Sequence, residues 1–367
     1  MPFCIAFRPQ ATDYQEETRI FYRTYGKGNT KVLLIIGLAG THNSWGPQIK
    51  GLTGSDSPNA DDPPAGDIEG EGAGIHVCAF DNRGMGRSSI PNKRSDYTTE
   101  IMAMDAVSVM NHLQWKKAHV VGHSMGAMVA CKVAALAPER ILSLALLNVT
   151  GGGYECLPRL DRKTISIAYR FLRAKTPEER AAVDLDTHYT EEYLNEPAGM
   201  KTRRAVLYQE YVKAIKSSGM QSPEGFDGQI NACWTHAMTR QEMETIRAAG
   251  FLVSVIHGRD DVIAQITHAQ RLARRLHPVA RMVDLHGGHL VSHERPEEVN
   301  NALIDLVRAV EQGVKAVEWT NVSLNRGHHG GGAGLLLLLC TVFAAVLQYF
   351  RRALGRLKPV RVGAAFT

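Results

Sequence analysis

Residues 119–130 read HVVGHSMGAMVA. A β-branched run enters the pentad Gly122-His123-Ser124-Met125-Gly126, and an alanine- and methionine-rich run leaves it. A chain that passes from strand to helix in so few residues crowds its own backbone. Glycine two before and two after the serine removes the side chains that would clash there. Such a turn lifts the Ser124 hydroxyl clear of the sheet. It also aims a helix N-terminus at that hydroxyl, where partial positive charge can hold an anion. The stretch predicts a buried strand, a sharp turn and a packed helix, with Ser124 as a candidate nucleophile at the apex.

The same alternation recurs along the chain. Apolar runs at 20–25, 31–37, 75–80, 118–123, 141–149, 251–258 and 281–287 read as strands. Amphipathic runs at 98–113, 125–137, 265–276 and 296–312 read as helices. Strands that alternate with helices imply an α/β fold, with a mostly parallel central sheet covered by helices on both faces. In such sheets ligands bind at the carboxyl ends of the strands. Two insertions interrupt the pattern. Residues 51–74 carry six acids and no basic residue among many Gly and Pro, the composition of a flexible acidic surface loop. Residues 152–250 read as largely helical and separate two core strands, so they are expected to fold back over the strand ends as a lid. The implied organisation is a core first part over 1–151, a helical lid over 152–250 and a core second part over 251–315. A linker follows over 316–333.

A serine hydroxyl needs a base to become a nucleophile. His289, in DLHGGHLVSHERPEEV, follows the last strand in a Gly-Gly loop and fits the chain order Ser…Asp…His. His286 closes that strand and is expected to pack, and His293 falls near the next helix start. The acid that orients the imidazole should follow another strand. SVIHGRDDVIA offers Asp260 and Asp261, of which one should serve and the other face solvent. An oxyanion hole needs two backbone N–H donors. Met125, next after the nucleophile, would supply one. Leu38, in the turn GLAGTHNSW after the early strand, would supply the other.

From about Thr18 to Gln312 the chain resembles an α/β-hydrolase of the lidded, single-core type. The likeness is carried by IIGLAGTHNSW, FDNRGMGRSS, GHSMG, HGRDDVIA and GGH in that order. The resemblance implies that the acid lies three positions after the Gly of the His-Gly pair, which selects Asp261. It implies a structural role for the turn Asp81-Arg83-Gly84-Gly86. A closer likeness is to plant α/β-hydrolases labelled by similarity to aminoacrylate hydrolases of pyrimidine breakdown. The acidic loop 51–74 is long for the family. The expected activity is serine hydrolysis of an ester or related acyl bond of a small to medium substrate, with no cofactor and no metal. The rival reading is a ligand or hormone receptor that keeps the hydrolase pocket and triad but turns over little.

Charge says little about the folded part. The net charge of +5 equals the five basic residues of 327–367, which hold no acid, so residues 1–326 balance to zero. Nothing in the folded part argues for nucleic acid. The six cysteines form no CxxC pair, and the start MPFCIAFRPQ holds no long apolar run, so a reducing, cytosol-facing location is expected. Residues 334–350, GLLLLLCTVFAAVLQYF, carry no charge and precede a basic tail at 351–367. As a helix they would reach about 25 Å, enough for a short C-terminal membrane anchor.

Overall fold

A computed structural model describes residues 2–6, 17–60, 74–159, 161–218 and 220–323. The expected anchor over 334–350 and basic tail over 351–367 lie outside them. None of the described helices is long and apolar enough to cross a membrane.

The strands are β1 (Phe3–Ile5), β2 (Arg19–Tyr25), β3 (Thr30–Ile35), β4 (Ile75–Phe80), β5 (Ala118–His123), β6 (Ile141–Leu147), β7 (Pro197–Ala198), β8 (Lys201–Thr202), β9 (Leu252–Gly258) and β10 (Ala280–Leu285). The helices of the first half are α1 (Gly46–Thr53), α2 (Thr99–His112), α3 (Met125–Leu136), α4 (Arg162–Arg173), α5 (Pro177–His188) and α6 (Glu191–Asn195). Those of the second half are α7 (Arg203–Ser218), α8 (Pro223–Thr235), α9 (Arg240–Ala249), α10 (Ile266–Arg275), α11 (Val291–Glu294), α12 (Pro296–Glu311) and α13 (Ala316–Trp319).

Eight strands form one sheet in the order β1-β2-β4-β3-β5-β6-β9-β10. From β4 to β10 the neighbours pair in parallel, and β2 runs antiparallel to both β1 and β4. The period-two rule of strands builds two cores. Leu33 and Ile35 of β3, with Leu144 and Leu146 of β6, join the layer of α2, α3, α9 and α10. Val32 and Leu34, with Ala145 and Leu147, join the layer of α1 and α12. Because both faces are covered, the central strands read as continuous apolar runs rather than as alternating ones.

Between β6 and β9 the chain forms α4 to α9 and the short β7–β8 pair. The last of these helices, α9, belongs to the core layer: Lys132 of α3, almost fully buried, pairs with Glu242 of α9 at 2.6 Å and with Glu100 of α2 at 2.9 Å. The acidic stretch begins inside α1, which ends at Thr53 with Gly54 at φ +78°. Residues 61–73 of that stretch lie outside the described residues.

Candidate active site

The carboxyl ends of five strands converge on one place. Ser124 follows β5 directly and caps α3 with φ 54° and ψ −121°, a conformation few side chains adopt. The flanking glycines make that turn possible. A Cβ on Gly122 would lie 2.3 Å from the Gly126 carbonyl oxygen, and one on Gly126 would lie 2.0 Å from that of Ile35. A side chain at Gly122 would push α3 off the strand, and one at Gly126 would push it off β3.

The serine hydroxyl lies 3.0 Å from His289 Nε2, and His289 Nδ1 lies 2.8 Å from Asp261 Oδ2. His289 arrives on the loop after β10 and Asp261 on the loop after β9. Both are buried, at 6% and 8% exposure, so the relay is shielded from bulk water. The Asp261 carboxylate is saturated with donors. Oδ1 accepts from the Ile263 and Ala264 N–H groups at 2.8 Å each, and Oδ2 accepts from Asn148 Nδ2 at 2.7 Å as well as facing His289. Burial pushes its pKa up, but the charge and hydrogen bond of His289, aided by His257 and Asn148, outweigh it and hold the group at about 2.

Of the two expected oxyanion donors, Met125 follows the serine directly and Leu38 follows the glycine that faces it. Met125 opens α3, so its N–H has no carbonyl partner within the helix. Leu38 follows Gly37, where an added Cβ would sit 3.0 Å from Ser124 Cβ. Asn82 Nδ2 donates to the Ile36 carbonyl at 2.7 Å and fixes the base of that turn.

Of the two adjacent acids, Asp260 points outward and meets His286 Nδ1 at 3.0 Å. His286 is not packed as its place at a strand end suggests. It is 43% exposed in its side chain and also meets Glu192 at 2.9 Å, because β10 is the edge strand of the sheet. His293 is turned from the serine: its Nε2 donates to the Ser44 carbonyl at 2.7 Å. The turn after β4 is structural, as the resemblance implies. Arg83 makes a two-pronged buried bond to Asp105 at 2.6 Å on each prong.

The family model for the alpha/beta hydrolase fold matches residues 31–296, most of the chain. The chain belongs to that family. Among similar proteins is one provisionally named carbamate hydrolase RutD from Azorhizobium caulinodans, 24% identical over 80% of this chain and 96% of the relative. The enol-lactonase of Burkholderia xenovorans superposes with a TM-score of 0.61 at 23% identity, covering 79% of this chain and 97% of its own. A malate-bound esterase from Thermogutta terrifontis gives 0.60 at 21% identity, covering 84% of this chain and 98% of its own. These likenesses establish the fold family and do not extend to the narrower plant group.

Several residues that hold this α/β-hydrolase site together escape sequence reasoning. Asn148, at φ 48° just past β6, donates to both Asp261 and the Gly288 carbonyl, and so ties the acid loop to the histidine loop. His123 Nε2 donates to the His289 carbonyl at 2.8 Å; burial, then the neighbouring His289, lowers its pKa to about 3 and keeps it neutral. The fully buried Gln229 of α8 accepts from the Ala39 N–H at 3.0 Å and donates to the Arg83 carbonyl at 2.9 Å. Glu294 accepts from the Gly288 N–H at 2.8 Å and from the Thr190 hydroxyl. His188, at the end of α5, stacks over His289 with ring centres 6.4 Å apart, and its carbonyl accepts from the Leu290 N–H at 2.9 Å. The segment between β6 and β9 thus touches both the turn that carries Leu38 and the loop that carries His289.

Proposed function

We propose that the protein is a serine hydrolase cleaving an ester or related acyl bond of a small to medium substrate. The observation that carries this reading is the chain Ser124 Oγ–His289 Nε2 at 3.0 Å and His289 Nδ1–Asp261 at 2.8 Å, placed at the apex of a strand-to-helix turn. Ionised Asp261 holds the proton on His289 Nδ1, which leaves Nε2 free to accept the Ser124 proton. Ser124 Oγ then bonds to the acyl carbon, and the carbonyl oxygen gains the charge. The Leu38 and Met125 N–H groups and the N-terminus of α3 stabilise that oxyanion. His289 returns its proton to the leaving group, and the carbon–leaving-group bond breaks. Water, deprotonated by the same imidazole, attacks the acyl-enzyme and regenerates the serine.

Carbamate, enol-lactone and ester, the bonds named for the relatives, are all acyl bonds open to this sequence of steps. The residues 152–250 act as the lid in this reading, since α5 and α8 reach the two loops beside Ser124.

A fluorophosphonate probe tests the proposal, because it reacts only with an activated serine. The parent should label at Ser124. Ser124→Ala should fold with an unchanged urea midpoint, take no label and lose turnover of a soluble aryl ester by roughly 10⁴ to 10⁶. Labelling that survives the substitution would refute the assignment. A parent that folds but neither labels nor turns over any acyl ester would return the receptor reading.

A further inference from the structure

Charge that balances over residues 1–326 is strongly segregated within them. Residues 159–175 hold six basic residues (Arg159, Arg162, Lys163, Arg170, Arg173 and Lys175) and a single acid, Asp161. Most of this stretch is α4, which Asp161 caps by accepting from the Thr164 N–H. The inner face of α4 buries Thr164 and Ile167, and Phe171 packs 6.2 Å from the Phe226 ring of α8. The outer face is unusual. Ile165 and Tyr169 are each 58% exposed and Leu172 is 38% exposed. Their spacing of four and three residues puts them in one stripe. At about 100° per residue, Arg162 and Arg173 border that stripe along one side, with Lys163 beyond them, while Arg170 is already paired with Asp186 at 2.8 Å.

We infer that this face of α4 docks on a lipid bilayer surface bearing anionic headgroups. A helix with an apolar stripe beside a basic border lies in the interfacial plane, with its stripe at the acyl boundary and its cations among the headgroups. Exposed apolar side chains grouped on one face mark an interaction site more often than scattered ones do. The positive border selects an anionic partner. The stripe is a convex ridge, which a bilayer accepts without a matching groove and an acidic protein does not. The docking stands apart from the catalytic reading, though the two are neighbours in the fold: α5 packs on α4 and ends at His188, over the His289 ring.

The test uses the full chain carrying Tyr169→Trp. The parent has four tryptophans, Trp45, Trp115, Trp234 and Trp319. Subtracting its emission from that of the variant isolates position 169. With vesicles of phosphatidylcholine containing about a third phosphatidylserine, the difference emission should shift to the blue and be quenched by brominated acyl chains. Pure phosphatidylcholine should give much less. Each basic residue near an anionic surface strengthens partitioning about fivefold, so adding Arg162→Glu and Lys163→Glu should weaken it at least about 25-fold. These side chains are exposed, and the urea midpoint should stay at the parental value. Absence of quenching in anionic vesicles would overturn the proposal. So would quenching that survives the charge reversal. A blue shift already present without vesicles also overturns it: dependence on protein concentration would then assign the face to a second copy, and independence to the chain's own 334–350 segment.

Discussion

Asp261→Asn replaces one oxygen by an NH2 group and should nearly abolish turnover. The carboxylate accepts from four donors: two backbone N–H groups at Oδ1, and Asn148 Nδ2 and His289 Nδ1 at Oδ2. A carboxamide has one acceptor oxygen. If its NH2 faced Ile263 and Ala264, two buried N–H groups would lose their partner, at about 1–3 kcal/mol each. The oxygen therefore stays on that side, and the NH2 meets Asn148 and His289. Donor now faces donor at positions 2.7 and 2.8 Å apart. The imidazole relieves its half of the conflict by moving its proton from Nδ1 to Nε2. In that tautomer Nε2, 3.0 Å from Ser124 Oγ, can donate but cannot accept the serine proton. The expected loss in kcat is about 10⁴, or about 5.5 kcal/mol of transition-state stabilisation. Asp260→Asn is the control. Asp260 is about half exposed and meets only the exposed His286 among the site histidines, so its loss should change kcat by less than about twofold. Steady-state kcat and kcat/KM on a soluble aryl ester, with the urea midpoint as a fold check, compare the two. An Asp261→Asn variant within tenfold of the parent refutes the tautomer argument, as does an equal fall in the Asp260 variant.

Three further outcomes follow from the geometry. Gln229→Leu leaves the half-buried Ala39 N–H without its Gln229 acceptor and frees the turn that carries Leu38; kcat should fall about 10- to 100-fold, more than KM rises, and stability by about 1–3 kcal/mol, read from kinetics and urea titration. Glu294→Ala removes the acceptor of the Gly288 N–H and of the Thr190 hydroxyl and N–H, so the His289 loop loosens; kcat should fall by about tenfold or more and, with the carboxylate gone, the midpoint of the pH–rate profile should move, which a purely structural loss would not cause. Burial lowers the pKa of His76 and His119 to about 4 and of His123 and His236 to about 3, each from 6.5. A lowered folded-state pKa means stability that is present above pH 6.5 and lost as pH falls toward those values, so the urea midpoint should be flat above neutrality and drop steeply from pH 6.5 to 4; a midpoint unchanged over that window contradicts the burial of neutral imidazoles.

The core of the fold was legible because its signals are local. Strands 75–80 and 118–123 match the expected bounds, since each is a short apolar run closed by a polar or glycine turn. The expected 31–37 and 141–149 overshoot because Gly37 turns against Ser124 and Asn148 takes φ 48°, which ends the ladder at Leu147. Apolar residues continue past both strand ends, so periodicity alone could not place the turns. The edge strand β1 escapes notice, as three residues are too few to establish a period of two. Helix α1, GPQIKGLT, is equally silent: two glycines and a proline lower its propensity, and burial of Trp45, Ile49 and Leu52 stabilises it instead.

The site divides along a different line. Ser124 and His289 stand out as candidates because each sits in a turn whose chemistry is written within a few residues, whereas the turn at 260–261 offers two acids and only the family resemblance picks Asp261; the structure brings these three side chains together. Asn148, His123 and Gln229 cannot, because each acts on a backbone group far away in the chain, and Glu294 cannot, because it joins the nearby Gly288 N–H to Thr190, 104 residues away. Gln229 reaches Ala39 across 190 residues and Asn148 reaches Gly288 across 140. Nothing near Gln229 in PEGFDGQINACWT distinguishes it from a solvent-facing residue of an amphipathic helix, yet it is fully buried and satisfied on both ends. Such residues do no chemistry; they decide whether the Leu38 turn and the His289 loop stand where the chemistry needs them. Two of the four supports lie on, or hydrogen-bond to, the helices between β6 and β9. On the proposed hydrolase reading, a displacement of those helices would therefore loosen the Leu38 turn through Gln229 and the His289 loop through Glu294 and Thr190 together, and would couple access to the serine with assembly of the groups proposed to activate it.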